Sequence, residues 1–144
     1  MAFKEWYKEW FSSPYYEVLY HKRNEKEAAA FIKKLLLHLD PKPGSFMLDV
    51  ACGKGRHSRK LAGMSFDVTG IDLSEPSINE ALKFETDQLH FFVHDMRLPF
   101  YINYFDYAFN FFTSFGYFKT RREHDDAMRT IAQSIKPNGL FVID

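Results

Sequence analysis

The stretch LDVACGKGRHS, Leu48 to Ser58, holds the residues of this chain whose types and spacing most clearly suggest chemistry. An apolar run ends in an acid, Asp49, and then Gly53 and Gly55 arrive two apart, ahead of basic and polar residues. Glycines between a strand and a helix permit a tight turn and let a ligand approach bare backbone. Amides at the start of the following helix can receive a polar or negative group. Such a loop can cradle the pyrophosphate of a dinucleotide, the phosphates of a nucleotide, or a ligand with no phosphate. The dinucleotide fingerprint G-x-G-x-x-G/A fits only as Gly53-x-Gly55-x-x-Ser58, with Ser58 a departure, and the Gly-Lys-Ser/Thr of a P-loop occurs nowhere. Phosphate binding is therefore poorly supported.

The loop is useful only if a strand precedes it and a helix follows, and the flanking pattern supplies both. From Ser45 onward, short apolar runs of strand type alternate with helical segments: FMLDVA, FDVTGIDL, LHFFVHD, YFDYAFNFF and LFVID. Between them lie RHSRKLAGM, the segment EPSINEALKF with Ser74 as N-cap and Pro76 in its first turn, and a helix from Thr120 to about Ile135. Thr120 and Glu123 have the capping-box spacing. The turn KPNG leads into the fifth strand. Strands separated by helices imply right-handed crossovers and a doubly wound, Rossmann-like α/β parallel sheet. Ligands of such sheets bind beyond the carboxyl ends of the strands, where the strand order reverses.

Residues 1–44 read as a helical cover for that core, which occupies residues 45–144 of a single domain. Phe3, Trp6, Tyr7, Trp10 and Phe11 fall on one face of a helix, suited to docking on the domain's own body or, less simply, to serving as a lid or partner surface. Asn24 and Glu27 form a second capping box, after which Phe31, Ile32, Leu35, Leu36 and Leu39 line a buried face. The chain ends at Asp144, at the close of a strand. A parallel strand needs cover on both faces, so either an oligomer supplies it or closing strands are missing; the expectation is the second.

Composition narrows the function classes. Among 144 residues, 46% are hydrophobic and 26% charged, with Lys plus Arg equal to Asp plus Glu at 19 each. No net field draws the chain to nucleic acid or to an anionic membrane. The N-terminus is interrupted by Lys4, Glu5, Lys8 and Glu9, unlike a signal peptide, and no apolar stretch approaches the roughly 20 residues of a membrane span. A single cysteine, Cys52, allows no intrachain disulfide and suits a reducing compartment, so a cytoplasmic protein is expected. Cys52 itself reads as a small packed side chain, and the six histidines show no metal-binding pattern.

Read from the acid, Asp49-x-Ala51-x-Gly53-x-Gly55 resembles the first motif of class I S-adenosylmethionine-dependent methyltransferases, D/E-x-G-x-G-x-G. Ala51 stands at the first glycine, a departure of little consequence if that position has φ below zero, which alanine can adopt. Four further segments resemble that family in order: GIDLS, VHDMRLPF, FDYAFNFFTSFGYF and KPNGLFVID. The resemblance implies S-adenosylmethionine as cofactor, its amino-acid end on the Gly53–Gly55 loop. It implies that Asp72, followed by Leu73, accepts from the ribose, and that Asp95 and the Met96 amide meet the adenine. Asn110 and Phe111 would lie beside the methionine portion. Asn138 would take the left-handed conformation that glycine holds in K-P-G-G. Plainer roles stand beside these: Asp49 orienting the loop rather than touching ligand, Asp72 capping the next helix, Asp95 starting a loop.

In that family the reaction is an in-line displacement at a sulfonium methyl, for which positioning and desolvation do most of the work. An aromatic face such as Phe111 would stabilise the cation. His57 and His21 are candidates for a base where one is needed, although a helix-cap role suits His57 better, and no catalytic residue is singled out. Tyr15, Tyr16, Tyr20, His21 and Arg23 form a segment suited to covering the cofactor or simply to packing. The N/D-P-P-Y/F/W signature of base-methylating enzymes is absent at Asn110-Phe111-Phe112-Thr113, which favours a small-molecule acceptor over nucleic acid. The competing readings are a nicotinamide oxidoreductase, which would use the same glycines and Asp72 but give Asp49 and Asp95-Met96 no role, and a domain that binds S-adenosylmethionine without turnover.

Overall fold

A computed structural model describes residues 25–111 and 120–143. The helix expected over Phe3–Phe11, the Asn24 cap, the Tyr15–Arg23 segment, and Phe112 and Thr113 lie outside the described residues. Helix α1 (Glu25–Leu39) is followed by β1 (Phe46–Val50), α2 (Arg56–Ala62), β2 (Asp67–Asp72), α3 (Glu75–Ala81) with a 3₁₀ turn at Leu82–Phe84, β3 (Leu89–Val93), β4 (Phe105–Asn110), α4 (Arg121–Ser134) and β5 (Ile135–Ile143). The five strands form one sheet in the order β3-β2-β1-β4-β5, every neighbour pair parallel. The order reverses between β1 and β4, and the carboxyl ends of those strands therefore flank a switch point.

Two apolar clusters cover the two faces. On one, Met47, Val68, Leu89, Phe91 and Phe109 from the strands meet Ile32 of α1, Leu61 of α2 and Ile78 of α3. Phe31, Leu35, Leu36 and Leu39 pack against the same cluster, as the spacing in α1 predicts. On the other, Leu48, Val50, Ile71 and Ala108 meet Ile131 of α4 and the aromatic loop carrying Phe100, Tyr101 and Tyr104. Alternation along β1 sends Met47 to one cluster and Leu48 to the other, as the two-residue strand period requires. It also puts Asp49 on the α2 side.

Local signals hold at the helix starts. Ser74 accepts from the Ser77 amide at 3.3 Å, and Thr120 from the Glu123 amide at 3.1 Å. The segment KPNG is incorporated into β5 rather than preceding it: β4 spends two residues between Phe105 and Tyr107 where β5 goes from Ile135 to Leu140. The surplus forms a bulge in which Asn138 takes φ +72°, the left-handed conformation expected of it. Among the described residues no helix is long and apolar enough to cross a membrane.

Candidate functional site

Strand β1 ends at Val50, and five residues, Ala51 to Gly55, then carry the chain into α2. Their conformation alternates: Ala51, Gly53 and Gly55 have φ of +59°, +59° and +82°. Ala51 therefore lacks the negative φ under which its departure from glycine would matter little. The turn demands a left-handed residue at this position, and alanine occupies that region at a cost of about 1–2 kcal/mol because Cβ crowds the carbonyl. Ala51→Gly is accordingly expected to stabilise the chain by roughly 0.5–1 kcal/mol, net of the extra freedom glycine gives the unfolded state. A melting curve of the two proteins checks it: an unchanged or lower Tm would mean that the strain is relieved elsewhere.

The two glycines differ in what surrounds them. A side chain on Gly53 would meet nothing within 4 Å among the described residues, so the turn presents bare backbone there. A Cβ on Gly55 would lie 2.6 Å from the Phe91 ring, and one on Gly70 of β2 would lie 2.8 Å from the same ring. Phe91 thus reaches from β3 beneath the turn, into a slot made by two absent side chains. Gly55 serves the packing of the loop, and Gly53 its exposed surface.

Asp72, last residue of β2, braces the turn from the neighbouring strand. Its Oδ2 accepts from the Gly53 amide at 2.8 Å and its Oδ1 from the Ser74 amide at 2.8 Å. Each oxygen has one further lone pair, so the carboxylate both fixes the loop and retains acceptor capacity. The helix-capping and ligand-accepting readings of Asp72 are therefore compatible. Leu73 beside it is 63% exposed. Asp49 lies beneath the turn, 2% exposed, and accepts from the Ser58 hydroxyl at 2.6 Å. Burial pushes its carboxyl up to about 7, assisted by the negative charge of Asp72 and opposed by the Ser58 hydrogen bonds. These contacts make Asp49 an anchor that ties the first turn of α2 to β1. Burial likewise pushes the Cys52 thiol up, with Asp49 and Asp72 adding to the effect, which leaves a packed thiol with little nucleophilic character.

The remaining predicted residues gather at the same end of the sheet. His94 donates its amide to the Asp72 carbonyl at 3.0 Å, bringing the end of β3 alongside β2 and setting Asp95 just beyond it. Asn110, at the end of β4, donates its side-chain amide to the Val50 carbonyl at 2.9 Å, closing the switch point between β1 and β4. Phe111 is 4% exposed, stacked on His57 with centroids 4.7 Å apart and on Phe109 at 5.2 Å, with Phe31 edge-on. A ring so enclosed offers no open face to a cation, and its place is in the wall. His57, 8% exposed in that stack, is packed into the wall beside Phe111. The Met96 carbonyl accepts from Thr130 of α4 at 2.5 Å.

Three participants carry no ready mark in sequence. Ser58 reads as a mere departure from a glycine pattern, yet its hydroxyl is the partner of buried Asp49. Phe91 reads as one more strand phenylalanine. Arg97 makes a forked pair with Asp95, its Nε at 3.0 Å from both oxygens and Nη2 2.6 Å from Oδ2. An arginine two residues after an acid is the one available signal, and it says little without the loop geometry.

A glycine turn between β1 and α2, an acid closing β2 and an acid beyond β3 are all placed at one edge of a parallel sheet of order 3-2-1-4-5. The family model described as a methyltransferase domain matches residues 47–139, from β1 to the bulge of β5. The chain belongs to the methyltransferase domain family. Relatives of this methyltransferase domain include the dTDP-3-amino-3,4,6-trideoxy-alpha-D-glucopyranose N,N-dimethyltransferase of Streptomyces venezuelae, 33% identical over 133 residues that cover 90% of this chain and 54% of that protein. The O-methyltransferase cnsE of Penicillium expansum is 34% identical over 114 residues, 74% of this chain and 40% of that one. Among solved structures, phosphoethanolamine N-methyltransferase 2 of Haemonchus contortus, in complex with phosphomonomethylethanolamine and S-adenosylhomocysteine, superposes with a TM-score of 0.62 at 28% identity, over 71% of this chain and 24% of that one. The methyltransferase domain described here spans about half the length of the curated relatives it matches.

Proposed function

We propose that the chain binds S-adenosylmethionine along the carboxyl ends of β1, β2 and β3 and directs its methyl group to a small-molecule acceptor. The observation that carries this reading is the pairing of Gly53 with Asp72: a turn open to ligand at one residue, its amide held 2.8 Å from a carboxylate that keeps acceptor capacity. Among the described residues the hydrogen-bond partners of Asp72 are the backbone amides of Gly53 and Ser74, which suits it to a neutral diol. When bound, the cofactor supplies an electrophilic methyl on a positively charged sulfur.

The cofactor residues expected from the sequence each have a place in that reading. Gly53 lets the amino-acid end approach the backbone, Asp72 accepts from the ribose with Leu73 beside it, and Asp95 and the Met96 amide face the base. Asn110 and Phe111 form the wall at the end of β4. Asp49 and Ala51 shape the turn from below and within. The nicotinamide alternative leaves Asp95-Met96 idle, and the forked Arg97 pair on Asp95 speaks for a built position there. Relatives that methylate nitrogen and relatives that methylate oxygen both support a small-molecule acceptor, with an amine or hydroxyl as acceptor group. The zero net charge supports the same choice over nucleic acid.

A thermal melt of the chain with S-adenosylhomocysteine, S-adenosylmethionine and NAD in parallel tests the proposal. Ligand at about 100 times its dissociation constant adds about 2.7 kcal/mol, or roughly 5 °C or more at this size. A shift with the sulfur nucleosides and none with NAD is expected, and the reverse result would overturn the cofactor. Asp72→Ala should weaken S-adenosylhomocysteine binding by roughly 1.5–3 kcal/mol, the scale of a charge-assisted hydrogen bond. Unchanged affinity in a folded variant would remove the ribose assignment.

A further inference from the structure

A cavity of about 420 Å³ lies at the amino ends of β1, β2 and β3, at the far end of the sheet from the glycine turn. Its size falls within the roughly 300–1,000 Å³ of small-molecule sites. Phe46 and Asp67 open their strands there, and Gln88 precedes the third. The rim is built by two residues in left-handed conformation, Gly44 at φ +80° and Ser65 at φ +74°. The Gly44 amide donates to the Ser65 carbonyl at 3.0 Å and joins them. Serine adopts that conformation at a cost, and such strain concentrates at functional positions.

The chemistry of the lining is one-sided. Phe46, Ala62 and Phe66 supply apolar surface, while Ser65 and Gln88 are polar and uncharged. Among the described residues Asp67 is the one charged residue of the lining. Its Oδ1 is buried and accepts no hydrogen bond among the described residues. His90 Nε2 stands 3.8 Å from that oxygen, beyond hydrogen-bonding distance. Lys136, which lies over the Phe46 ring, is engaged by Asp106 at 3.2 Å instead. Burial raises the Tyr104 phenol above its ordinary value, and the charge of Asp67 adds to the rise, so the field of this carboxylate reaches the ring stacked on Phe46. A carboxylate so placed lacks the donor that would offset its desolvation.

We propose that this cavity is a ligand site separate from the glycine turn, taking a small organic ammonium whose charged head bonds Asp67 and whose apolar body lies against Phe46, Ala62 and Phe66. The sign of the single charge excludes an anion. A bare metal ion is disfavoured by the apolar wall, and among the described residues no three ligating side chains gather to hold one. Asp67 and Asp72 stand at opposite ends of β2, about 16–17 Å apart at the rise of a strand, so the site does not depend on the cofactor reading.

Cyclohexylammonium chloride and cyclohexanol test the proposal, since they share a body and differ in charge. Amide NMR shifts of the full chain follow each titration at constant ionic strength. Cyclohexylammonium should give saturable shifts at the amides of Gly44, Ser65, Phe66 and Gln88. Its dissociation constant should lie about tenfold or more below that of cyclohexanol, the scale of a hydrogen bond to a charged acceptor. Asp67→Asn, which keeps the shape and removes the charge, should bring the two constants within about threefold, the scale of a neutral hydrogen bond. Ala62→Leu, which fills the apolar side, should weaken both probes and leave their ratio in place. If Asp67→Asn does not fold, unchanged binding of both probes by Ala62→Leu would still show that neither lies in the cavity. Equal binding of the two probes by the wild type, a ratio retained in folded Asp67→Asn, or shifts that avoid these amides would each overturn the proposal.

Discussion

Asp49→Asn should raise the melting temperature markedly at pH 8 and leave it almost unchanged at pH 4. The Asp49 carboxyl is buried at the end of β1, and burial raises it from 3.8 to about 7, against the opposing pull of Ser58. In the unfolded chain the group ionises near its ordinary value, so between about pH 4 and pH 7 the folded state holds a proton that the unfolded state has released. Stability therefore falls as pH rises through this window, by about 1.4 kcal/mol per pH unit. The full loss, about 4 kcal/mol as an order of magnitude, is reached above pH 7. Asparagine keeps an acceptor for the Ser58 hydroxyl and carries no charge, so the variant should lack this slope. Denaturant midpoints of both proteins across pH 4 to 8 decide the matter. Parallel curves would show that Asp49 ionises in the folded chain as readily as in the unfolded one.

That penalty has a structural return. An acid beneath the turn receives the Ser58 hydroxyl and so pins the start of α2 to β1, while Asp72 holds the same turn through the Gly53 amide. Two carboxylates thus fix one loop, and their mutual repulsion contributes to the upward shift of the buried member. Asp72, at the mouth, is left as the acid with acceptor capacity toward a ligand. The division between a buried anchor and an exposed acceptor follows from a strand geometry in which Asp49 pairs with Gly70 of the adjacent strand, two residues short of Asp72.

The frame of the fold is legible because each of its signals is local. Apolar runs of strand length, Ser74 and Thr120 as caps, and Asn138 in a left-handed turn act through neighbours in sequence, and the structure contains them all. The carboxyl-end acids and the glycine turn are legible for the same reason: strand ends and turns are marked by residue type. What sequence does not mark is conformation that a residue adopts against its preference, as at Ala51, where the loop closes around a left-handed alanine. Nor does it mark partners supplied by other elements. Nothing in the spelling of Gly55 names Phe91, nothing in Ser58 names Asp49, and the burial of Phe111 depends on His57, Phe109 and Phe31 meeting it from two helices and its own strand. The exposed aromatic face expected of Phe111 fails for that reason.

Gly55→Ala and Gly53→Ala should separate the two glycines of the motif, the first by its effect on stability and the second by its effect on ligand binding. Both positions are left-handed, so each alanine costs about 1–2 kcal/mol in backbone strain. At Gly55 the new methyl would also fall 2.6 Å from the Phe91 ring and 3.3 Å from the Ala81 methyl, in a slot already filled. Phe91 is 3% exposed and is hemmed on its other contact by Gly70, so the ring cannot simply turn away. Overpacking of a buried site adds about 1–3 kcal/mol, for a total of roughly 2–5 kcal/mol, enough to unfold a marginal domain. At Gly53 the methyl meets nothing within 4 Å among the described residues, and stability should fall by the strain alone, while the surface offered to S-adenosylhomocysteine is filled. Melting curves with and without that ligand distinguish the two. The expected result is a large loss of Tm for Gly55→Ala, relieved in part by Phe91→Leu, and a small loss for Gly53→Ala with the ligand-induced shift abolished. If Gly55→Ala melts like the wild type, Phe91 does not occupy the slot beneath the turn. If Gly53→Ala retains the full ligand shift, the open side of the turn is not where the ligand lies.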